Sequence, residues 1–143
     1  SGGIAVAQTL GILENFGMNA FPPTALDGNG GKPSVMGVHL MSEAHRLAYA
    51  DRNRYVADTD FVPLPGNGVS SMLDKTYLRS RAGLIRLDVS MGTAQPGTFP
   101  GTTAMGSSDT EGRGTSHVSI VDAQGNAVSM TTTIGSSIGS YRF

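Results

Sequence analysis

The first 84 residues alternate between apolar stretches at helical spacing and short stretches rich in Gly, Pro and Asn. Apolar residues recur every three or four positions in three of these stretches, which is typical of helices that bury one face. Ser34 is placed to cap the second helix, and Gly17 is placed to end the first. The third helix is predicted to start at a cap on Ser70 or Ser71. The predicted helices span residues 4–16, 34–55 and 70–84. The residues expected to be buried in the first and third helices are Ile4, Ala7, Leu10, Leu13, Leu73, Tyr77 and Leu78.

The pattern changes at Asp88. From there to Gly114 the residues are mostly Gly, Ser, Thr, Pro and Ala, and no period persists. This composition predicts a long, mobile loop. Two alternating runs rich in β-branched residues follow, at 117–122 and 127–134, and they predict a β-hairpin.

The turn of the hairpin sets the register of its strands. A three-residue loop, 123–125, with Gly125 in the left-handed conformation is a common hairpin form. Continued outward, this register places Thr133 opposite Thr115, where directly opposed side chains lie about 5 Å apart at Cβ. A register shifted by one residue would instead place Ile134 opposite Thr115.

Composition excludes several classes of function. The net charge of -1 gives no electrostatic attraction for nucleic acid or for an anionic membrane. The absence of cysteine excludes disulfides and thiol catalysis. No apolar run approaches the ~20 residues that span a bilayer. Only 15% of the residues are charged, so we expect other protein to cover much of the surface, as in an internal piece of a longer chain.

The second predicted helix carries charged residues at pairing distance. Glu43 and Arg46 lie three positions apart, as do Asp51 and Arg54, so each pair can meet on the helix surface. We expect this charged face to contact protein outside the chain. His45 lacks the spacing of three or four positions from Glu43 or Asp51 that a pair of metal ligands on a helix requires. We therefore expect no metal ion or other cofactor.

Thr115 is the candidate nucleophile because it stands where the flexible segment meets the first strand. A threonine hydroxyl needs a base, and an α-amino group on the same residue supplies one, with an unperturbed pKa of about 7.7–8.0. Cleavage of the Gly114–Thr115 bond would release that amine, and Gly114 has no side chain to block attack on its carbonyl. Thr133 would then orient the Thr115 hydroxyl. Ser116 and a hydroxyl assisted by His117 are the alternatives.

Several stretches together resemble the γ-glutamyltranspeptidase family. Residues 43–52, Glu-Ala-His-Arg-Leu-Ala-Tyr-Ala-Asp-Arg, are similar to the E-A-x-R-L-A-Y-A-D-R helix of that family. Residues 115–122, Thr-Ser-His-Val-Ser-Ile-Val-Asp, with Gly-Asn-Ala-Val-Ser at 125–129, resemble its T-T-H-x-S-V-V-D-x-x-G-N-A-V-S. Weaker matches lie in order at residues 1–4, 10–14 and 58–62.

The resemblance implies an α+β fold, part of the four-layer αββα sandwich of an N-terminal-nucleophile hydrolase, here about three helices, a long loop and a hairpin. It implies self-cleavage before Thr115. Residues 1–114 would then end a large subunit, and 115–143 would start a small subunit that forms a heterodimer with it. The threonine that matches Thr133 bonds the nucleophile. A γ-glutamyl group would pass from glutathione or a related amide to water or an amine through an acyl-enzyme on Thr115, in the periplasm or outside the cell.

One departure from the family pattern concerns the substrate. Many members carry Asn two residues after the position of Thr133, and here that residue is Gly135. The stretch 131–137 is more similar to relatives that include glutaryl-cephalosporin acylases, so an acylase acting on glutaryl or other N-acyl amides is the second hypothesis. The third hypothesis is that this chain alone is a non-catalytic segment, because the resemblance places the oxyanion and substrate-binding groups outside it.

Overall fold

The computed structural model describes residues 2–28, 30–100 and 115–133. They belong to two compact units, a helical unit within residues 1–107 and a hairpin unit within residues 108–143. Expectations for Gly114, Ile134 and Gly135, and for most of the loop that precedes Thr115, lie outside the described residues. The α+β class predicted from the sequence is confirmed, with helices in the first unit and an antiparallel hairpin in the second.

Helix α2, Val35–Tyr55, is the longest helix in the described part of the helical unit. It begins as predicted, because the Ser34 hydroxyl accepts a hydrogen bond from the N–H of Gly37 at 3.1 Å. Helix α1, Gly2–Leu13, packs against α2 and against α4, Lys75–Ala82, which is the last helix of the unit. The core between the helices consists of Ile12, Leu13, Leu40, Ala44, Leu47, Leu78, Ala82 and Ile85.

Helix α1 starts earlier and ends earlier than predicted. It ends at Leu13, where the Asn15 side chain donates hydrogen bonds to the carbonyl oxygens of Gly11 and Ile12 at 3.0 and 3.1 Å. The bond to Gly11 satisfies a carbonyl that the helix end leaves without a backbone partner, and the bond to Ile12 adds to the one that its carbonyl accepts from the N–H of Asn15. The prediction of Gly17 as its C-cap is therefore wrong. Leu10 is 55% exposed although its spacing predicted burial, because the buried face is formed by Ala5, Gln8, Thr9, Ile12 and Leu13.

The third predicted helix is two helices, α3 at Val69–Met72 and α4 at Lys75–Ala82. The break occurs because the Asp74 side chain accepts a hydrogen bond from the N–H of Tyr77 at 2.8 Å and so starts a new helix. Leu78 is buried as expected, whereas Leu73 is only half-buried.

The hairpin unit consists of strands β1, Thr115–Val121, and β2, Ala127–Thr133. Gly125 has φ +84°, which is the left-handed conformation that the predicted loop requires. The Asp122 carboxylate accepts bonds from the Asn126 side chain and from the N–H groups of Asn126 and Gln124. The Asn126 amide lowers the pKa of Asp122 most. The register pairs Thr115 with Thr133, as the turn length predicted.

Glu43 and Asp51 do not lie on an exposed charged face, contrary to the sequence-based expectation. Each is only 1% exposed and contacts residues of this chain. Glu43 pairs with Arg46 at 3.3 Å as predicted, but the ion-pair partner of Asp51 is Arg81 at 3.2 Å rather than Arg54. The pattern along α2 could not reveal this, because Arg81 comes from another helix.

Hydrogen bonds and a neighbouring charge decide the ionisation of the Glu43 carboxylate. Burial raises the pKa of Glu43, but the N–H of Met91, the Ser90 hydroxyl and the Arg46 charge outweigh it, and the net pKa lies below the usual value. Burial also raises the pKa of Tyr77, and the bond from its hydroxyl to Asp51 raises it further. Glu43 is thus held as a charged hydrogen-bond acceptor.

Candidate functional site

Thr115 is the first residue of β1, and the register places it directly opposite the last residue of β2, Thr133. The Thr115 hydroxyl donates a hydrogen bond to the Thr133 hydroxyl oxygen at 2.9 Å. This distance is ordinary for an O–H···O bond between neutral groups. The two candidate residues identified from the sequence are therefore in contact, and Thr133 fixes the direction of the Thr115 hydroxyl.

The His117 ring contacts other hydroxyls. Its Nδ1 lies 2.7 Å from Thr131 Oγ1, and its Nε2 lies 3.1 Å from Ser119 Oγ and 3.2 Å from Ser129 Oγ. With both ring nitrogens engaged in this way, the imidazole is not arranged as the base for Thr115. Ser116, the other candidate nucleophile, is the next residue in β1. Successive side chains point to opposite faces of a strand, so Ser116 belongs to the face opposite Thr115.

The two faces of the hairpin differ in polarity, a feature that the sequence analysis missed. The face of Thr115 carries cross-strand pairs of hydroxyl residues and His117, and the opposite face carries one hydroxyl pair, Ser116–Thr132, and two apolar pairs, Val118–Met130 and Ile120–Val128. Polar and apolar residues alternate from 117 to 120 and from 128 to 131, and this alternation was the available signal. Thr115 thus lies at the end of a continuous row of hydroxyl groups.

The chemistry open to Thr115 depends on its backbone nitrogen. In the intact chain that nitrogen is a peptide amide, which is not a base. After cleavage before Thr115 it would be an amine, able to accept the proton of the hydroxyl on the same residue. With that amine, the oriented hydroxyl would have the base that an N-terminal nucleophile requires.

In the part of the chain that the structure describes, no group of three His, Asp or Glu side chains is placed to bind a metal ion. His45, considered from the sequence, stacks on Tyr49 with ring centroids 4.7 Å apart. Within the described ranges, no helix is long and apolar enough to cross a membrane.

Comparison with known proteins assigns the whole chain to one family. The family model described as gamma-glutamyltranspeptidase matches residues 1–143. The glutathione hydrolase proenzyme of Escherichia coli strain K12 is 35% identical over 139 residues, which cover 97% of this chain and 21% of that protein. The acylase ACY 1 proenzyme of Pseudomonas sp. strain V22 is 36% identical over 139 residues, which again cover 97% and 21%.

The fold agrees with these sequence matches. The crystal structure of γ-glutamyltranspeptidase from Helicobacter pylori has a TM-score of 0.51 and 31% identity, covering 67% of this chain and 25% of that chain. The chain spans about a fifth of the length of the curated relatives it matches. Helix α2 carries the family's helix motif, and the hairpin carries the pair of threonines. Because the family model also matches all 143 residues, the chain belongs to the γ-glutamyltranspeptidase family.

Proposed function

We propose that this chain is the junction segment of a longer proenzyme that transfers or hydrolyses γ-glutamyl groups through Thr115. The observation that carries the proposal is the 2.9 Å hydrogen bond between the Thr115 and Thr133 hydroxyls at the start of a family-matched hairpin. The length of the turn determines the strand register that pairs these two residues. The position of Thr115 opposite Thr133 therefore depends only on local sequence.

The first reaction is cleavage of the chain. The Thr115 hydroxyl oxygen attacks the carbonyl carbon of Gly114, the C–N bond to Thr115 breaks, and the nitrogen gains the hydroxyl proton. This leaves Gly114 as an ester on Thr115. Water hydrolyses that ester to the Gly114 carboxylate and restores the hydroxyl, which now has an amine on the same residue. Residues 1–114 and 115–143 then belong to two subunits of a heterodimer.

The second reaction is turnover of an amide substrate. The Thr115 amine accepts the hydroxyl proton while the oxygen attacks the γ-glutamyl carbonyl, and the leaving amine departs with a proton. Water or an acceptor amine then releases the γ-glutamyl group from Thr115. The resemblance to the family favours glutathione or a related γ-glutamyl amide as substrate and a periplasmic or extracellular location. No cofactor enters either reaction.

An acylase function is the second candidate. It is favoured by Gly135, which stands where many relatives have Asn, and by acylase-named proenzymes among the relatives at 34–36% identity. In this case the same nucleophile would accept a glutaryl or another N-acyl group. The mechanism at Thr115 is common to both candidates.

A panel of chromogenic amides on the full-length protein separates these functions. We expect turnover of γ-glutamyl amides, with release of the chromogenic amine. Matched glutaryl amides test the role of the α-amino group, since they lack it and keep the acyl chain. Turnover of glutaryl amides alone would establish the acylase, and no turnover of either series would reject both functions.

Replacing Thr133 by Ala should slow chain cleavage without abolishing it. The variant removes one hydrogen bond to the nucleophile, and a neutral bond contributes about 0.5–1.5 kcal/mol, or about 2- to 10-fold in rate. The rate is measured from intact masses over time. Thr131→Ala is the matched control, because Thr131 is on the same face of β2 but bonds His117. Equal rates for the two variants would exclude a specific role of Thr133.

A further inference from the structure

The His117 side chain joins the two strands of the hairpin by hydrogen bonds. Its Nδ1 lies 2.7 Å from Thr131 Oγ1, and its Nε2 lies 3.2 Å from Ser129 Oγ, so both ring nitrogens contact β2. The Nε2 also lies 3.1 Å from Ser119 Oγ on the same strand. Because a hydroxyl can donate or accept, each ring nitrogen can bond one in either tautomer and also when the ring is protonated. We name His117, Thr131 and Ser129 the cross-strand clamp.

The clamp lies on the face of the hairpin that carries Thr115 and Thr133, one pair further from the strand ends. The N–H of Asp122 donates to the carbonyl oxygen of Asn126 at 3.0 Å, so this pair is a hydrogen-bonded one. In an antiparallel hairpin such pairs alternate with pairs that share no main-chain bond. The clamp and the threonine pair therefore both lie at positions without main-chain bonds, where opposed side chains are closest and their contacts join the strands.

The pair of Thr115 and Thr133 is the outermost pair of the described hairpin. Strand ends open more readily than strand centres, and a two-stranded hairpin has little stability of its own. The 2.9 Å bond between the two threonine hydroxyls exists only while the strand ends are closed. Side-chain bonds across the next pair of the same face oppose that opening.

We propose that His117 is a positioning residue for the reactions of Thr115, because its bonds to β2 keep the strands closed where Thr133 accepts the bond from Thr115. The inference rests on the proposed function. The ring acts through the strand pairing and takes no proton from Thr115. A side chain that forms hydrogen bonds without titrating can therefore fill the same role.

The test measures chain cleavage in the full-length protein. His117→Ala removes the clamp, whereas His117→Asn keeps an amide that can bond Thr131 in place of Nδ1 and is no base near neutral pH. Ser119→Ala is the matched control, because it removes only the contact of the ring within β1. Thr131→Ala leaves the contact with Ser129, so it remains a control for Thr133→Ala.

The decisive variant combines His117→Ala with Thr133→Ala. A double-mutant cycle shows whether the two side chains act through one interaction or independently. The first-order cleavage rate is measured from intact masses for both single variants and the double variant. The thermal unfolding midpoint of each variant is recorded beside its rate.

We expect His117→Ala to slow cleavage by about 1.5- to 5-fold, the factor that corresponds to one cross-strand side-chain pair. His117→Asn should recover most of this loss, and Ser119→Ala should cleave at the wild-type rate. The double variant should cleave at the rate of Thr133→Ala alone, because the bond that His117 supports is already absent there.

Additive effects of His117→Ala and Thr133→Ala would assign His117 a general structural role and overturn the positioning role. Cleavage of His117→Ala at the wild-type rate would overturn it too, as would a His117→Asn variant as slow as His117→Ala. In each of these results the wild-type chain is still cut before Thr115, so the proposed function stands. A wild-type protein that turns over amides without being cut would overturn the proposed function, and the positioning role with it.

Discussion

Replacing Thr115 by Ala should leave the full-length protein as one uncut chain that does not turn over γ-glutamyl or glutaryl amides. The variant has no hydroxyl to attack Gly114 and none to accept an acyl group. Loss of the nucleophile costs acyl-transfer enzymes on the order of 10⁴- to 10⁶-fold in rate. Intact mass and amide turnover are measured on the same samples, so that cleavage and catalysis are followed together.

Ser116→Ala is the matched control for this variant. Ser116 is the adjacent hydroxyl residue but belongs to the opposite face of β1. We expect it to be cleaved and active. Thr115→Ser should also retain both reactions, because serine offers the same hydroxyl and, after cleavage, the same amine. Cleavage of Thr115→Ala at the same bond would contradict the assignment of Thr115.

Replacing Asp51 by Ala should destabilise the helical unit more than any change to a surface carboxylate. Asp51 accepts bonds from Gln8 at 3.1 Å, Tyr77 at 2.5 Å and Gly97 at 2.7 Å, besides its ion pair with the buried Arg81. Removing one partner of a buried pair leaves an uncompensated charge, which costs about 3–5 kcal/mol. The measurement is the denaturant midpoint of the full-length protein, followed by far-UV circular dichroism.

Glu14→Ala is the control for this experiment. Its ion pair with Lys75 is exposed, and exposed pairs contribute about 0–1 kcal/mol. Adding Arg81→Met to Asp51→Ala should recover part of the loss, because the unpaired charge is removed as well. Equal midpoints for Asp51→Ala and Glu14→Ala would show that the buried network does not contribute to stability.

The sequence predicted the features that depend on interactions between residues close together in the chain. The cap at Ser34 and the length of α2 followed from a short-range hydrogen bond and a long apolar period. The pairing of Thr115 with Thr133 followed from the loop length and from Gly125, without any knowledge of distant residues. The family resemblance then gave this pair its chemical meaning, because a threonine before a strand is by itself an ordinary feature.

Contacts between residues far apart in the chain could not be predicted from these local patterns. Asp51 was assigned to Arg54, one turn away, whereas it pairs with Arg81 and also bonds Gln8. Leu10 fits the apolar period of α1, but α2 and α4 cover a different face of that helix. The buried roles of Glu43 and Asp51 require partners that the chain brings together only on folding.

Residues 90–99 are the clearest example of this limit. Their composition resembles that of a linker, and from the sequence we expected this stretch to be part of a mobile loop. Their main-chain bonds to Glu43 and Asp51 depend on no side-chain pattern of their own. Both carboxylates belong to residues 43–52, the helix motif that carries the family resemblance.

The most direct measurement of the central claim is the intact mass and N-terminal sequence of the purified full-length protein as it ages. We expect two pieces in equal amount, the smaller beginning with Thr115, and amide turnover that rises in proportion to the cleaved fraction. A single chain that stays uncut and nevertheless turns over γ-glutamyl or glutaryl amides would contradict that claim.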